Sequence, residues 1–237
     1  MQFQNAHWGV FLIQNILRGV LTVDKGICYI VGAGDCPALD FTPRPGDCVV
    51  AADGGLLYLE RDGIAADLVV GDFDSLARRP NHHRVVALRK EKDETDLFAA
   101  VGEGIQSGYT RFRLYGCTGG RIEHTMANIQ LLAFLAERKM SGYLLDQNTA
   151  ITAVSNGSIA FAPRPNGYIS VFSLTTKATG VFAQGLKYRL SDAEISNTCP
   201  VGVSNEFIGV ESEISVREGT LLIVFPRDAE VRARVFR

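Results

Sequence analysis

The chain has 237 residues and a formal charge of −2, long enough for one large domain or two small ones with a real core. Apolar residues make up 46% and charged residues 21% of it, so the sequence carries neither the basic field that attracts nucleic acid nor a polybasic run for anionic lipid. The five cysteines (Cys28, Cys36, Cys48, Cys117 and Cys199) are odd in number and lack C-x-x-C spacing, which reads as reduced thiols of a cytoplasmic protein rather than a disulfide framework or zinc site.

Residues 1–26 read as an N-terminal extension. Trp8 to Val23 is largely apolar but interrupted by Gln14, Asn15 and Arg18. It is too short and too broken for a membrane span of about 20 residues, and it lacks the positive start and small-residue cleavage site of a signal peptide. The expectation is an amphipathic helix packed on the body or on a second subunit.

From residue 27 to about 150, short apolar runs alternate with helical patterns. Ile27–Val31, Cys48–Ala52, Leu68–Val70, Val85–Leu88, Phe112–Tyr115 and Tyr143–Leu145 read as strands. Leu56–Arg61, Asp96–Ser107 and His124–Lys139 read as helices, and Leu131, Leu132 and Leu135 give the last an apolar stripe at helical spacing. Such alternation predicts an α/β domain with a mostly parallel sheet flanked by helices. From 151 to 237 the helical signal stops. Ile151–Val154, Ser158–Ala162, Tyr168–Leu174, Gly180–Gln184, Glu213–Arg217 and Leu221–Phe225 read as strands of a small all-β sandwich or barrel. Asn156-Gly157 and Glu218-Gly219 are hairpin-type signals.

Four turns, each after a predicted parallel strand, carry the chemistry. Leu68-Val69-Val70 runs into Gly71-Asp72-Phe73-Asp74, and ligands of open α/β sheets sit at the carboxyl ends of strands. Two carboxylates there repel unless a cation lies between them. Oxygen-only ligands suit magnesium (Mg2+), which takes one or two carboxylates plus phosphates. A solvated turn with a capping aspartate is the plainer reading of that motif alone. Lys92-Asp93-Glu94-Thr95-Asp96 adds a second acidic cluster at a helix start, with Asp93 and Asp96 on one face. Capping and the macrodipole explain either acid by itself. An adjacent lysine suits a polyphosphate–metal site, where it neutralises a further oxygen. In Gly116-Cys117-Thr118-Gly119-Gly120-Arg121, the glycines admit a ligand close to the backbone, and the following helix start offers N–H groups to an anion. Arg121, His124 and Asn128 line one face of that helix. Arg121 is a natural phosphate clamp; His124 either donates to a phosphate or caps the helix. Asp53-Gly54-Gly55 ends another strand, where Asp53 holds a ribose hydroxyl, joins the metal shell or makes a plain turn. Gly32-Ala33-Gly34 does not complete the dinucleotide fingerprint, and no P-loop motif occurs.

These turns describe a metal–nucleotide crevice and leave the acceptor open. A metal-dependent glycosyltransferase also uses an Asp-x-Asp, although the second acidic cluster and the Gly-Gly-Arg turn argue against it. Diphosphorylation of an alcohol, such as a pterin, and a non-catalytic nucleotide sensor are the other readings.

Taken in order, Ala52-Asp53-Gly54-Gly55, Gly71-Asp72-Phe73-Asp74-Ser75, Lys92-Asp93-Glu94-Thr95-Asp96 and Gly119-Gly120-Arg121-Ile122-Glu123-His124 with Asn128 resemble the motifs of the thiamine pyrophosphokinase family. Gly185-Leu186-Lys187-Tyr188 and Val203-Ser204-Asn205-Glu206-Phe207 extend the resemblance, which spans about residues 27–225. It implies a homodimer whose α/β domain binds ATP and magnesium and whose β domain helps bind thiamine at the subunit interface, giving thiamine diphosphate and AMP. It implies that Asp72, Asp74 and Asp96 are metal and phosphate carboxylates with Asp93 close by, and that Asp96 is a candidate proton acceptor. Asp53, Gly54, Gly55, Lys92, Thr118, Gly119, Gly120, Arg121, His124 and Asn128 would meet the nucleotide or its phosphates, with Arg121 also catalytic. Tyr188, Ser204 and Asn205 would form part of the thiamine pocket. One departure is Glu123, where the family usually has aspartate.

Overall fold

A computed structural model describes residues 25–36, 39–73, 80–89 and 94–236. The Trp8–Val23 segment, Asp74, Lys92 and Asp93 lie outside the described residues. The chain divides into two compact units, one up to Asn128 and one from Ile129.

The first unit contains β1 (Cys28–Val31), β2 (Cys48–Ala52), α1 (Gly55–Arg61), β3 (Leu68–Gly71), β4 (Val85–Ala87), α2 (Asp96–Gln106) and β5 (Arg111–Tyr115). The strands run parallel in the order β5-β1-β2-β3-β4. Every residue of β1 and β3 is buried, as expected of strands covered on both faces, whereas β4 at the edge is not. Helix α2 begins where the Thr95 side chain accepts the Phe98 N–H at 3.2 Å, a side-chain cap. It buries Leu97, Ala100, Val101 and Ile105. Phe41 stacks on Tyr29 with centroids 4.1 Å apart and reaches Tyr115 at 5.0 Å.

Helix α3 (Ile122–Glu137) runs from the first unit into the second. Its leucine stripe is buried as the spacing predicts, with Leu131, Leu132 and Leu135 at most 3% exposed. Lys139, at φ 59°, ends the helical stretch in the left-handed region, and the Met140 N–H returns to the Leu135 carbonyl at 3.0 Å.

Among the described residues, the second unit holds ten strands. They are β6 (Ser141–Leu145), β7 (Thr149–Ser155), β8 (Gly157–Phe161), β9 (Tyr168–Ser173), β10 (Lys177–Gln184), β11 (Leu190–Ser196), β12 (Gly202–Glu206), β13 (Ser212–Ser215), β14 (Thr220–Pro226) and β15 (Val231–Phe236). One antiparallel run follows the order β12-β9-β14-β7-β6 and a separate sheet the order β11-β10-β13-β8-β15. Phe161 of β8 meets Phe225 of β14 edge-on at 4.9 Å, so the aromatic core lies between the two sheets. The Arg234 guanidinium crosses the same gap from β15, donating to Thr152 Oγ1 at 2.8 Å and to the Ala153 carbonyl.

β6, the expected strand Tyr143–Leu145, pairs antiparallel with β7 across the short connection closed by Asp146 N–H to the Thr149 carbonyl. Two expectations are corrected here. Asn156-Gly157 and Glu218-Gly219 are not hairpins. Each is a corner where the chain leaves one sheet for the other, β7 to β8 and β13 to β14. The corners tie to each other: Asn156 N–H donates to the Gly219 carbonyl at 3.1 Å, and Gly219 N–H to Asn156 Oδ1 at 2.9 Å. Finally, β11, β12 and β15 had no counterpart among the predicted strands. Each lies at the end of its sheet and is largely exposed, so it lacks the continuous buried apolar run that marks a central strand.

Candidate active site

The order β5-β1-β2-β3-β4 contains a reversal. The chain proceeds outward from β1 to β4, then crosses back to place β5 on the other side of β1. In open α/β sheets the loops at such a switch point diverge and leave a crevice for ligand. Here they are the loops after β1 and β5, and the loops after β2 and β3 follow along the same edge.

Here the two switch-point loops do not diverge but are braided by backbone. Gly32 N–H donates to the Tyr115 carbonyl at 2.8 Å, Gly34 N–H to Gly116 at 2.7 Å, and Asp35 N–H to Thr118 at 2.9 Å. A side chain on Gly119 would place its Cβ 2.1 Å from Asp35 Oδ2, and its φ of 75° already disfavours any other residue. Gly32-Ala33-Gly34, incomplete as a fingerprint, thus shapes the loop that holds Thr118 and Gly119. Asp35 was not picked out from the sequence. Its only signal is its position just after that glycine pair.

Asn128 anchors this loop from α3. The side chain is buried, and its Nδ2 donates to the Cys117 carbonyl at 2.7 Å. Its visible task is to hold the loop backbone. The Cys117 thiol is pushed well up by burial, with its S–H directed at the Tyr115 carbonyl at 3.1 Å, so it is an inert packing group. Arg121 and His124 stand exposed at the helix start. Arg121 Nε donates to Glu123 Oε1 at 2.6 Å. The Glu123 carboxyl is held below its usual range, first by its own backbone N–H and then by Arg121. This pair is open to solvent, so a phosphate can replace Glu123 at the guanidinium at little cost.

Farther along the edge, Asp53 follows β2 and Asp72 follows β3. Asp53 N–H donates to the Val70 carbonyl at 2.8 Å, and a Cβ on Gly71 would lie 3.1 Å from the Asp53 Cα, so the two turns are in contact. Gly55 packs on β1 so tightly that a Cβ would come within 1.9 Å of the Val31 carbonyl oxygen. Asp96 begins α2 and is partly exposed. Asp53 and Phe73 both adopt positive φ, 49° and 61°. That is a rare conformation for a bulky aromatic, and strain of this kind concentrates at functional turns. No group of three or more metal-binding side chains occurs among the described residues.

In the second unit, Tyr188 and Asn205 are brought together. Asn205 is buried; its Oδ1 accepts from the N–H groups of Tyr188 and Glu206, each at 2.9 Å, and its Nδ2 donates to the Tyr188 carbonyl at 2.6 Å. Lys187 and Glu206 pair at 2.6 Å beside them. The Tyr188 ring remains 57% exposed on this fixed backbone. Ser204 adjoins Asn205 at φ 58°, with its N–H bonded to Ser170 Oγ at 3.0 Å.

An α/β unit with glycine loops at a switch point and acidic turns farther along the same sheet edge, followed by an antiparallel β unit, defines a two-part nucleotide-binding class of protein. The family description "Thiamin pyrophosphokinase, catalytic domain" matches residues 45–144, and "Thiamin pyrophosphokinase, vitamin B1 binding domain" matches residues 158–221. The chain belongs to the thiamine pyrophosphokinase family. It is 28% identical over 186 residues to the thiamine pyrophosphokinase of Bacillus subtilis (strain 168), covering 76% of this chain and 87% of that one. The B. subtilis thiamine pyrophosphokinase crystal structure superposes with a TM-score of 0.77 at 25% identity, covering 86% of this chain and 100% of the other. That of the Geobacillus thermodenitrificans enzyme gives 0.74 at 28%, covering 86% and 98%.

Proposed function

We propose that this chain transfers a diphosphate group from ATP to the hydroxyl of thiamine, releasing AMP and thiamine diphosphate. The observation that carries the reading is the match of both units, in order, to the catalytic and vitamin B1-binding domains of one family. The strand order supports it by setting the acidic and glycine turns along one edge of a parallel sheet. Glycosyl transfer to an acceptor is not favoured by that match.

The roles of individual residues belong to the same proposal. Asp72, Asp74, Asp93 and Asp96 would hold magnesium, because hard carboxylate oxygens suit that ion; Asp72 directly follows β3 and Asp96 opens α2. When bound, the metal neutralises charge on the phosphates. Lys92, Arg121 and His124 would bind phosphate oxygens, and Asp53 with Gly54 and Gly55 would receive the rest of the nucleotide beside the Thr118–Gly120 loop. The thiamine hydroxyl attacks the β-phosphorus, the bond to the α-phosphate oxygen breaks, and the hydroxyl proton passes to a carboxylate, for which Asp96 is the candidate. Positioning and charge stabilisation account for most of the rate. Tyr188 would stack its exposed ring on the cationic thiazolium, a cation–π contact of about 1–2 kcal/mol, with Ser204 and Asn205 beside it.

A homodimer and a cytoplasmic location are parts of the same reading. Tyr168, Val201, Val203, Ile208 and Val210 are exposed apolar or aromatic residues of the second unit, between 45% and 68% accessible, which suits a surface covered by a second copy. No helix among the described residues is long and apolar enough to cross a membrane.

A coupled assay for AMP with ATP, magnesium and thiamine, with and without EDTA, tests the reaction. Thiamine-dependent, chelator-sensitive AMP release is expected. Release of a nucleoside diphosphate, or no thiamine-dependent product from folded protein, would overturn the reading.

A further inference from the structure

Beneath the first unit, at the amino ends of the parallel strands, lies a cavity of about 210 Å³ that the phosphate-transfer reading does not use. Its lining includes Lys25, Cys48, Arg84, Glu103, Gly104 and Tyr109. Cys28 and Cys48 are the first residues of β1 and β2 and stand opposite each other in register. Parallel neighbours in register share a face and sit roughly 4.8 Å apart, inside the Cα separation of about 4.4–6.8 Å that a disulfide spans. The Cys28 Sγ lies against Gly104 of the cavity wall, 3.0 Å from where that glycine's Cβ would be.

The pair is asymmetric. Cys28 is fully buried, whereas Cys48 is only partly so and opens on the cavity. The neighbouring Cys28 thiol lowers the Cys48 thiol, and Arg84 and Lys25 add to that effect against burial and Asp67. Cys28 is raised by the Cys48 thiol and by its burial. Lys25 is held in place: its Nζ donates to the Ser107 carbonyl and lies over the Tyr109 ring, 5.2 Å from its centroid, while Arg111 Nη2 donates to the Lys25 carbonyl at 2.7 Å.

We propose that Cys28 and Cys48 form a peroxide-reactive dithiol, in which Cys48 is the oxidised nucleophile and Cys28 the resolving thiol. A partly exposed thiol beside cationic side chains, with a second thiol in register on the neighbouring strand, is the arrangement that reacts with peroxides and closes to a disulfide. The Cys48 thiolate attacks one oxygen of hydrogen peroxide. The O–O bond breaks, the leaving hydroxide takes a proton to form water, and Cys48 becomes a sulfenic acid. The Cys28 thiol then gives up its proton and attacks the Cys48 sulfur. The S–O bond breaks, the departing hydroxide takes that proton as a second water, and a Cys28–Cys48 disulfide remains. This site is independent of the phosphate-transfer chemistry at the other ends of the same strands.

The test uses the full chain, reduced, freed of reductant and exposed to hydrogen peroxide. Free thiols are then alkylated and the protein is mapped without reduction. A Cys28–Cys48 linked peptide is expected, with Cys36, Cys117 and Cys199 alkylated. In a Cys28→Ser variant, or Cys28→Val if serine impairs folding, dimedone should trap a Cys48 sulfenic acid about tenfold faster than it labels the exposed Cys199. Absence of the linked peptide from wild-type protein, or a Cys48 no faster than Cys199, would overturn the assignment.

Discussion

The two units hold their candidate site residues by different means. In the first, backbone packs on backbone: the loops after β1 and β5 exchange N–H and carbonyl groups, and Gly55 and Gly119 occupy positions with no room for a Cβ. In the second, one side chain does the holding. Asn205 uses its carbonyl twice and its amide once to fasten the backbone at Tyr188 and Glu206. A phosphate crevice needs bare N–H groups and close approach, which glycines supply. A pocket for an aromatic cation needs a large ring kept rigid while its face stays open, which a buried amide beneath the ring's backbone supplies. Substitutions should therefore fail differently in the two units.

The largest effect is expected at the carboxylates of the first unit. Asp72→Asn should lower turnover about a hundredfold to a thousandfold while leaving the unfolding midpoint unchanged, read by AMP release alongside circular dichroism. Unaltered turnover would remove Asp72 from the metal site. Next comes Gly55→Ala, where the new methyl meets the Val31 carbonyl oxygen and must displace α1 or β1. A loss of about 3 kcal/mol is expected in urea unfolding. A neutral outcome would show that the backbone packing of this unit is more yielding than its contacts imply.

In the second unit, Asn205→Ala should cost about 2 kcal/mol, because buried backbone groups lose their partners, and it should raise KM for thiamine more than KM for ATP. An equal rise in both constants would break the distinction between the units. The smallest and most diagnostic change is Ser204→Gly. Relief of the left-handed conformation at φ 58° should stabilise the protein by about 1 kcal/mol. If Ser204 meets thiamine, KM for thiamine rises in the same variant, and a rise without destabilisation separates binding from folding.

Most of this fold was legible in the sequence where burial is one-sided or complete. Cys28-Tyr29-Ile30-Val31 and Leu68-Val69-Val70 read as strands because central parallel strands are apolar throughout. The leucine stripe of α3 is as plain. The edge strand Leu190–Ser196 was hidden for the converse reason, since it buries too few side chains to leave a period, whereas Val231–Phe236 alternates apolar and basic residues and is legible as a strand. The turns at Asn156 and Gly219 were legible as turns but not as corners, since the same dipeptides serve a hairpin or a change of sheet.

The sequence by itself determined that short strands alternate with helices and then with more strands, and that acids and glycines follow the strands of the first half. Local propensity and hydrophobic period depend on neighbours along the chain, so they can be read from it. Only the tertiary structure decided that the loops after β1 and β5 are partners, that Asn128 and Asn205 each hold a distant backbone segment, and that Cys28 faces Cys48. Those pairings join residues far apart in the chain, and strand order and register, which no local pattern encodes, bring them together.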